Sequence, residues 1–265
     1  MSTADLPPQL RFDRPYVERY LRNYPLAKVI RSVLHDADRI PEGGCLLVGN
    51  HGPLAIDTGM LIHTLFRDSG RIVRALGDRF MFANPVGRSL ARAVAGVEGS
   101  PDNAHALLMH GDAVLVYPGG ARETTRDPSQ RYTLNWEGRL GFARVALDAQ
   151  RPVVPVACIG SDDLLTQVVG SDTVRNSFAG KLFSSFLKPE SIPPLYMPKL
   201  RATQFHYFFG APLTPPVASS DDESAVRAFQ LEVKTALEAL LANGLEIRRE
   251  RRAAKQELRD QYAAV

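Results

Sequence analysis

Two cysteines, a single tryptophan and no long apolar run set the first limits on this chain. Cys45 and Cys158 both lie inside apolar stretches, so they are expected as buried thiols, and a disulfide framework is excluded. No segment nears the roughly 20 apolar residues that cross a bilayer. The longest uncharged stretch near the middle of the first half, residues 43–56, is interrupted by Asn50, His51 and Pro53. The opening residues, Met1 to Pro8, have no basic region and no apolar core, so no signal peptide is expected and any membrane contact should be peripheral. Charge of one sign is scarce as well: the net is +3, which selects neither an anionic substrate nor a membrane surface, and no basic stripe suggests nucleic acid. P-loop, dinucleotide fingerprint, paired cysteines and G-x-S-x-G elbow are all missing. His105 and His110 are five apart, a poor spacing for chelation from one helix face, so no metal is expected.

What is present is an ordinary globular composition, 45% hydrophobic and 23% charged over 265 residues, enough for one large domain or one domain with appended helices. Residues 1–13 read as a loose lead. Tyr16, Val17, Tyr20, Leu21 and Tyr24 then share a helical face up to Pro25, and Leu26, Val29, Ile30, Val33 and Leu34 form a second apolar stripe. Either stripe suits a bilayer interface, although packing on its own domain is the commoner fate of such a face. From there short β-rich runs (45–49, 72–76, 113–117, 153–158 and 203–208) alternate with helical patterns (58–66, 84–93, 102–110 and 138–149). That alternation predicts an α/β fold with a mostly parallel central sheet flanked by helices, and with helical extensions at both ends. The boundaries drawn are 1–26 for the lead and amphipathic helix, 27–217 for the central domain and 218–265 for C-terminal helices.

Two later segments stand apart. Between Phe178 and Phe209, eight aromatics alternate with Lys181, Lys188, Lys199 and Arg201, a mixture that suits either an interfacial loop or a core-packing excursion. Ser220 to Glu223 reads as a capping box, Val226, Phe229, Val233, Leu237 and Leu240 follow at helical spacing, and Gly244 reads as a helix stop.

The chemistry concentrates at two strand ends. After the run Cys45–Val48 comes Gly49-Asn50-His51, with Asp57 six positions beyond the histidine. A histidine with a carboxylate in reach is a general base with an orienting partner, and Gly52-Pro53 offers the turn that would let the two meet. The competing role for Asp57 is N-cap of the following helix. Tyr117-Pro118-Gly119-Gly120-Ala121-Arg122-Glu123 follows another apolar run in the same way. Its glycines permit close backbone approach with N–H groups turned to an oxyanion, Arg122 can fork onto a phosphate or carboxylate, and Glu123 can hold Arg122 in place.

Read together, His51–Asp57 and Tyr117–Glu123 resemble motifs one and three of the glycerolipid acyltransferase superfamily, the PlsC-like lysophospholipid acyltransferases. The usual first motif has four residues between His and Asp, and this chain has five. The usual third motif reads Phe-Pro-Glu-Gly-Thr-Arg, and the Pro-Gly-Gly-Ala-Arg-Glu found here is similar to the monoacylglycerol/diacylglycerol acyltransferase-like branch. Gly77–Phe80 with residues 96–103, Val153–Val156, and Phe209–Leu213 resemble the supporting elements, so the likeness runs over about residues 27–215. It implies a glycerolipid-acyltransferase-like fold, a fatty acyl thioester donor such as acyl-CoA or an acyl carrier, a lipid alcohol acceptor and a peripheral place on the cytoplasmic side of a membrane. No cofactor is expected beyond acyl-CoA as co-substrate. His51 and Asp57 are assigned to catalysis, Asn50, Gly119, Gly120, Arg122 and Glu123 to substrate binding, and Pro155 to the lining of the acyl site. A non-catalytic lipid- or membrane-binding protein on the same fold, and an acyl-CoA thioesterase, are the competing functions.

Overall fold

The computed structural model describes residues 5–169, 171–177, 195–197 and 204–263. Its frame is a seven-stranded sheet built from β1 (Arg31–His35), β2 (Cys45–Gly49), β3 (Arg74–Gly77), β4 (Val97–Glu98), β5 (Ala113–Val116), β6 (Val153–Ile159) and β9 (Gln204–Phe209), in the order β1-β9-β6-β2-β5-β3-β4. Only the β6–β9 pair is antiparallel, and β7 (Thr166–Val169) with β8 (Leu195–Met197) forms a separate two-stranded ribbon. The sheet is α/β in class and mostly parallel. Its central strand β2 is buried along its whole length, as expected of a strand covered on both faces.

Helices cover both faces. Alternate residues of each strand point to opposite layers, so Cys45 and Leu47 pack with α1 (Arg14–Arg22) and α2 (Ile56–Ser69). Leu46 and Val48 pack on the other side with α5 (Pro101–His110), α7 (Gly141–Ala149) and the long α9 (Glu223–Ala263). The short α3 (Arg79–Ala83), α4 (Pro85–Ala93), α6 (Ala121–Thr124) and α8 (Ser171–Asn176) complete the set. Polar side chains start several helices, with Asp13 accepting from Tyr16 N–H, Asn84 from Gly87 and Ser100 from Asn103.

Four expectations are corrected. The lead is not loose where it is described: Leu6 and Leu10 are buried, and Arg74, itself buried, donates to the Leu10 carbonyl at 2.7 Å and stacks on Phe12. The second apolar stripe is not a helix. After a single 3-10 turn over Pro25–Lys28 it becomes strand β1, whose backbone pairs in parallel with β9 along all five residues, a tertiary pairing that overrides the helical spacing. Gly244 is not a stop but lies inside α9, where an added Cβ would come within 2.8 Å of Ile159 and 2.9 Å of Phe208, so the glycine lets the helix press on the sheet. The cap of α9 is Asp222, which accepts from Ser224 and Ala225 N–H, in place of the capping box at Ser220. Of the aromatic and basic segment, Phe178, Lys181, Phe183, Phe186, Lys188, Lys199 and Arg201 lie outside the described residues, while Phe205, Tyr207 and Phe209 are core residues of β9.

The edge pair β1–β9 carries a titratable contact. His35 Nε2 and His206 Nδ1 are 2.9 Å apart, and both rings stack with Phe208. Burial, His35 and then Arg251 and Arg248 push His206 down to about 4 from its ordinary 6.5. The unfolded chain therefore takes up the proton first, so stability present above pH 6.5 is lost as pH falls toward 4. Because His206 is only partly buried, solvent screening limits the loss to the order of 1 kcal/mol. Urea unfolding at pH 7 and pH 5 checks this: His206→Gln should be less acid-sensitive than the parent by that amount.

Candidate active site

Both polar clusters leave the carboxyl ends of parallel strands, where α/β sheets place their clefts. β2 stops at Gly49, but its ladder is continued by a side chain. The Asn50 amide donates to the Cys158 carbonyl at 3.1 Å and accepts from the Cys158 N–H at 2.7 Å, pinning the departing chain to β6. Asn50 is therefore spent within the fold and is fully buried, which corrects its assignment to substrate binding.

His51 follows, and its ring Nδ1 lies 3.0 Å from Asp57 Oδ2. The six-residue separation is closed by backbone strain as well as by Gly52 and Pro53. Leu54 and Ala55 both have φ near +57°, a left-handed region that costs roughly 1–2 kcal/mol for a residue with a Cβ. Gly52 has no room for a side chain, since a Cβ there would lie 2.5 Å from Ser161. Ala55, not Asp57, occupies the N-cap position of α2; Asp57 sits in the first helical turn, wholly buried, with its carbonyl accepting from the Tyr207 hydroxyl at 2.8 Å. The helix-cap alternative is thus replaced by the histidine contact.

The second cluster grips the same histidine. Tyr117 stacks flat on the His51 ring, with centroids 4.0 Å apart and planes 4° apart. Glu123 is buried and accepts from the His51 backbone N–H at 2.8 Å through one oxygen and from Asn135 N–H at 3.0 Å through the other. Arg126, also buried, donates to the His51 carbonyl at 2.9 Å and to both oxygens of Asp162 at 2.7 and 2.6 Å. Its guanidinium also lies 3.9 Å from Glu123. Burial raises the Glu123 and Asp162 carboxyls above their ordinary values, and Arg126 is the largest opposing influence on each.

These contacts redistribute the expected roles. Glu123 faces Arg126 and the peptide of His51, so it neither holds Arg122 nor faces a ligand. Gly120, with φ +53°, spends its N–H on the Tyr117 carbonyl at 3.0 Å, which removes it as an oxyanion donor. Gly119 leaves space for Glu123: a Cβ there would stand 2.2–2.3 Å from that carboxyl group. Arg122 is exposed at the surface.

A cavity of about 900 Å³ opens beside His51. It passes over the carboxyl ends of β3, β4 and β5, lined there by Gly77, Gly99, Tyr117 and Pro118. Its walls are largely apolar, including Tyr24 and Leu26, Phe80 and Leu90 on one side and Ala104, Phe142 and Val145 on the other. Of the residues assigned from sequence, His51 and Gly120 border it; Arg122 and Pro155 do not, and Arg139 supplies a cation to the wall instead. Pro155 is buried in β6, where it lies in register with Val48 of β2 and its carbonyl accepts from the Gly210 N–H at 2.9 Å, which corrects its placement in the acyl site. Among the described residues no three His, Cys, Asp or Glu side chains converge as metal ligands. Arg126, Asp162 and the cavity wall were missed from sequence. Arg126, three residues past Glu123, was within reach of the motif but outside its pattern.

The Gly119–Glu123 contact makes a coupled prediction. Gly119→Ala should destabilise by about 1–3 kcal/mol through overpacking. Glu123→Ala should cost about as much, because two buried N–H groups lose their acceptor. The double variant should fall well short of the sum, since removing Glu123 relieves the clash. Denaturant unfolding of the four proteins measures it, and strict additivity would refute the packing argument.

Comparison with known proteins points to the same region of the chain. The family model "Acyltransferase" matches residues 31–159, a span that contains both clusters. The chain is 32% identical over 123 residues to the mouse "DGAT1/2-independent enzyme synthesizing storage lipids", covering 46% of this chain and 37% of that protein. It is 27% identical over 246 residues to chloroplastic phytyl ester synthase 2 of Arabidopsis thaliana, covering 83% and 35%. The matches thus span little more than a third of these curated relatives. A solved structure of the 1-acyl-sn-glycerophosphate acyltransferase PlsC from Thermotoga maritima aligns over 84% of this chain and 78% of that one, with a TM-score of 0.48 and 19% identity. Residues 31–159, which hold both strand-end clusters, thus resemble an acyltransferase domain.

Proposed function

We propose that this protein is an O-acyltransferase that moves a fatty acyl group from a thioester donor, acyl-CoA or an acyl carrier, to the hydroxyl of a lipid alcohol. The observation that carries the reading is the His51–Asp57 pair at the wall of a large apolar cavity. In this mechanism Nδ1–H of His51 donates to Asp57, which fixes the tautomer and leaves Nε2 as the base. Nε2 takes the proton of the acceptor hydroxyl as its oxygen bonds to the thioester carbonyl carbon. The C–S bond then breaks, and the imidazolium returns the proton to the departing thiolate. A thioester is already activated, so no covalent enzyme intermediate is needed, and what remains for the protein is alignment and exclusion of water.

The apolar walls support a substrate with a hydrocarbon chain. The names of the two curated relatives, one synthesising storage lipids and one making a phytyl ester, support an ester product over hydrolysis. Against the thioesterase alternative, such walls keep water scarce around the base. Residence at a membrane surface belongs to the same proposal; among the described residues, no helix is long and apolar enough to cross a bilayer.

Thiol release from acyl-CoA with a panel of lipid alcohols, read alongside the ester product by mass spectrometry, is the test. His51→Ala should lower the rate about 10²–10⁴-fold, the usual contribution of a general base. Asp57→Asn should also be impaired, because the amide can present an N–H to Nδ1 and turn the wrong tautomer to the substrate. A His51→Ala protein with undiminished turnover would sink the mechanism, and thiol release that added alcohols never divert would move the assignment to a thioesterase.

A further inference from the structure

Among the described residues, ten large apolar side chains are exposed, and five of them stand together on α3, α4 and the turn before α2: Leu54 (52%), Phe80 (52%), Met81 (37%), Val86 (70%) and Leu90 (57%). Scattered exposed apolar residues need no explanation, but a cluster of this kind marks an interaction site. Helix α4 runs against the usual arrangement. It buries only Ala91 and Ala93 and turns Val86 and Leu90, one helical turn apart, outward. Four of the five side chains also border the cavity beside His51; Val86 alone does not.

We infer that this ridge docks the protein on an anionic bilayer, with the cavity mouth turned toward the lipid. Charge selects the occupant. Asp78 to Ala93 holds Arg79, Arg88 and Arg92 against the single acid Asp78, and Glu98 pairs with Arg79 at 3.1 Å, so these groups together keep a net of +1, with Arg88 and Arg92 outside that ion pair and all three arginines exposed. Apolar side chains set among arginines match the boundary between acyl chains and anionic headgroups. A protein partner of ordinary polarity would not need the ridge to be continuous with a chain-sized cavity. A bilayer does, because a lipid can then pass from the leaflet to His51 without crossing water. That last step rests on the acyl-transfer reading, whereas the exposure and the charge do not.

Flotation of the full chain with vesicles of phosphatidylcholine, alone or with phosphatidylglycerol, tests the assignment. The protein should partition to the anionic vesicles, and more weakly to neutral ones. Val86→Asp combined with Arg92→Glu should lower that partition at least about tenfold, since both side chains are exposed and one loses apolar insertion while the other reverses charge. The variant should keep its circular dichroism, its sedimentation state and its turnover of a short-chain, water-soluble donor and acceptor. Equal partition of variant and parent, equal partition to neutral and anionic vesicles, or no flotation of the parent would each overturn the proposal. A parent dimer that the variant dissociates would overturn it in favour of a second copy of the chain. Parent protein that floats as expected but turns over no acyl donor would refute the acyl-transfer reading and leave the docking surface standing.

Discussion

The peptide of His51 is held at both ends by one buried ion cluster, and the site depends on it. Glu123 takes the N–H and Arg126 gives to the carbonyl, so a carboxylate and a guanidinium 3.9 Å apart fix the backbone from which the imidazole projects. Neither charge could be buried alone, because an unpaired ion in such surroundings costs several kcal/mol. Arg126 balances Glu123 and Asp162 together, and Asp162 in turn accepts the Tyr132 N–H. The Tyr132 hydroxyl reaches Asp163, which pairs with Arg248 of α9. The C-terminal helix is thereby tied to the histidine through four charged side chains, although none of its described residues lines the cavity.

That rigidity explains how the chain tolerates a strained turn at its most consequential point. Two successive residues, Leu54 and Ala55, hold a left-handed backbone that their side chains disfavour. Such strain persists only where surrounding contacts over-determine it. Here the fixed points are Asn50, bonded to both polar groups of Cys158, and Asp57, buried with its carbonyl bound to Tyr207. Between those anchors the chain must turn quickly enough to bring Nδ1 within 3.0 Å of Oδ2. The strain is the consequence of joining a fixed strand end to a fixed helix start through six residues.

The frame was legible where one local pattern had no rival. Runs such as Cys45–Gly49, buried on both faces, can be little else than central parallel strands, and two of the helices between them, α4 and α5, carry their own side-chain caps. Legibility failed where tertiary contacts override local ones. Residues 31–35 read as helix by spacing, yet form a strand because β9 presents an unpaired edge. Gly244 reads as a terminator, yet its purpose is to admit Ile159 and Phe208. At the site, the histidine and its aspartate could be paired from turn chemistry alone. Arg126 and Asp162 could not, because they are 36 residues apart in sequence and meet only when β6 lies beside β2.

The position of Glu123 shows why a motif's chemistry is better followed in space than by index. The related motif usually has glutamate where this chain has Gly119, and by alignment a carboxylate has been lost. In space the volume above Gly119 is filled by a carboxyl group all the same, since Glu123 folds back over it from the first turn of α6 and a Cβ at 119 would collide with it. Glycine at 119 and glutamate at 123 are therefore one structural feature: either change alone leaves a clash or an unbonded pair of N–H groups. The demand behind it comes from His51. Under the proposed mechanism an imidazole that accepts a proton gains nothing from a mobile backbone, and a buried acceptor aimed at its backbone N–H removes that mobility whichever residue number supplies the oxygen.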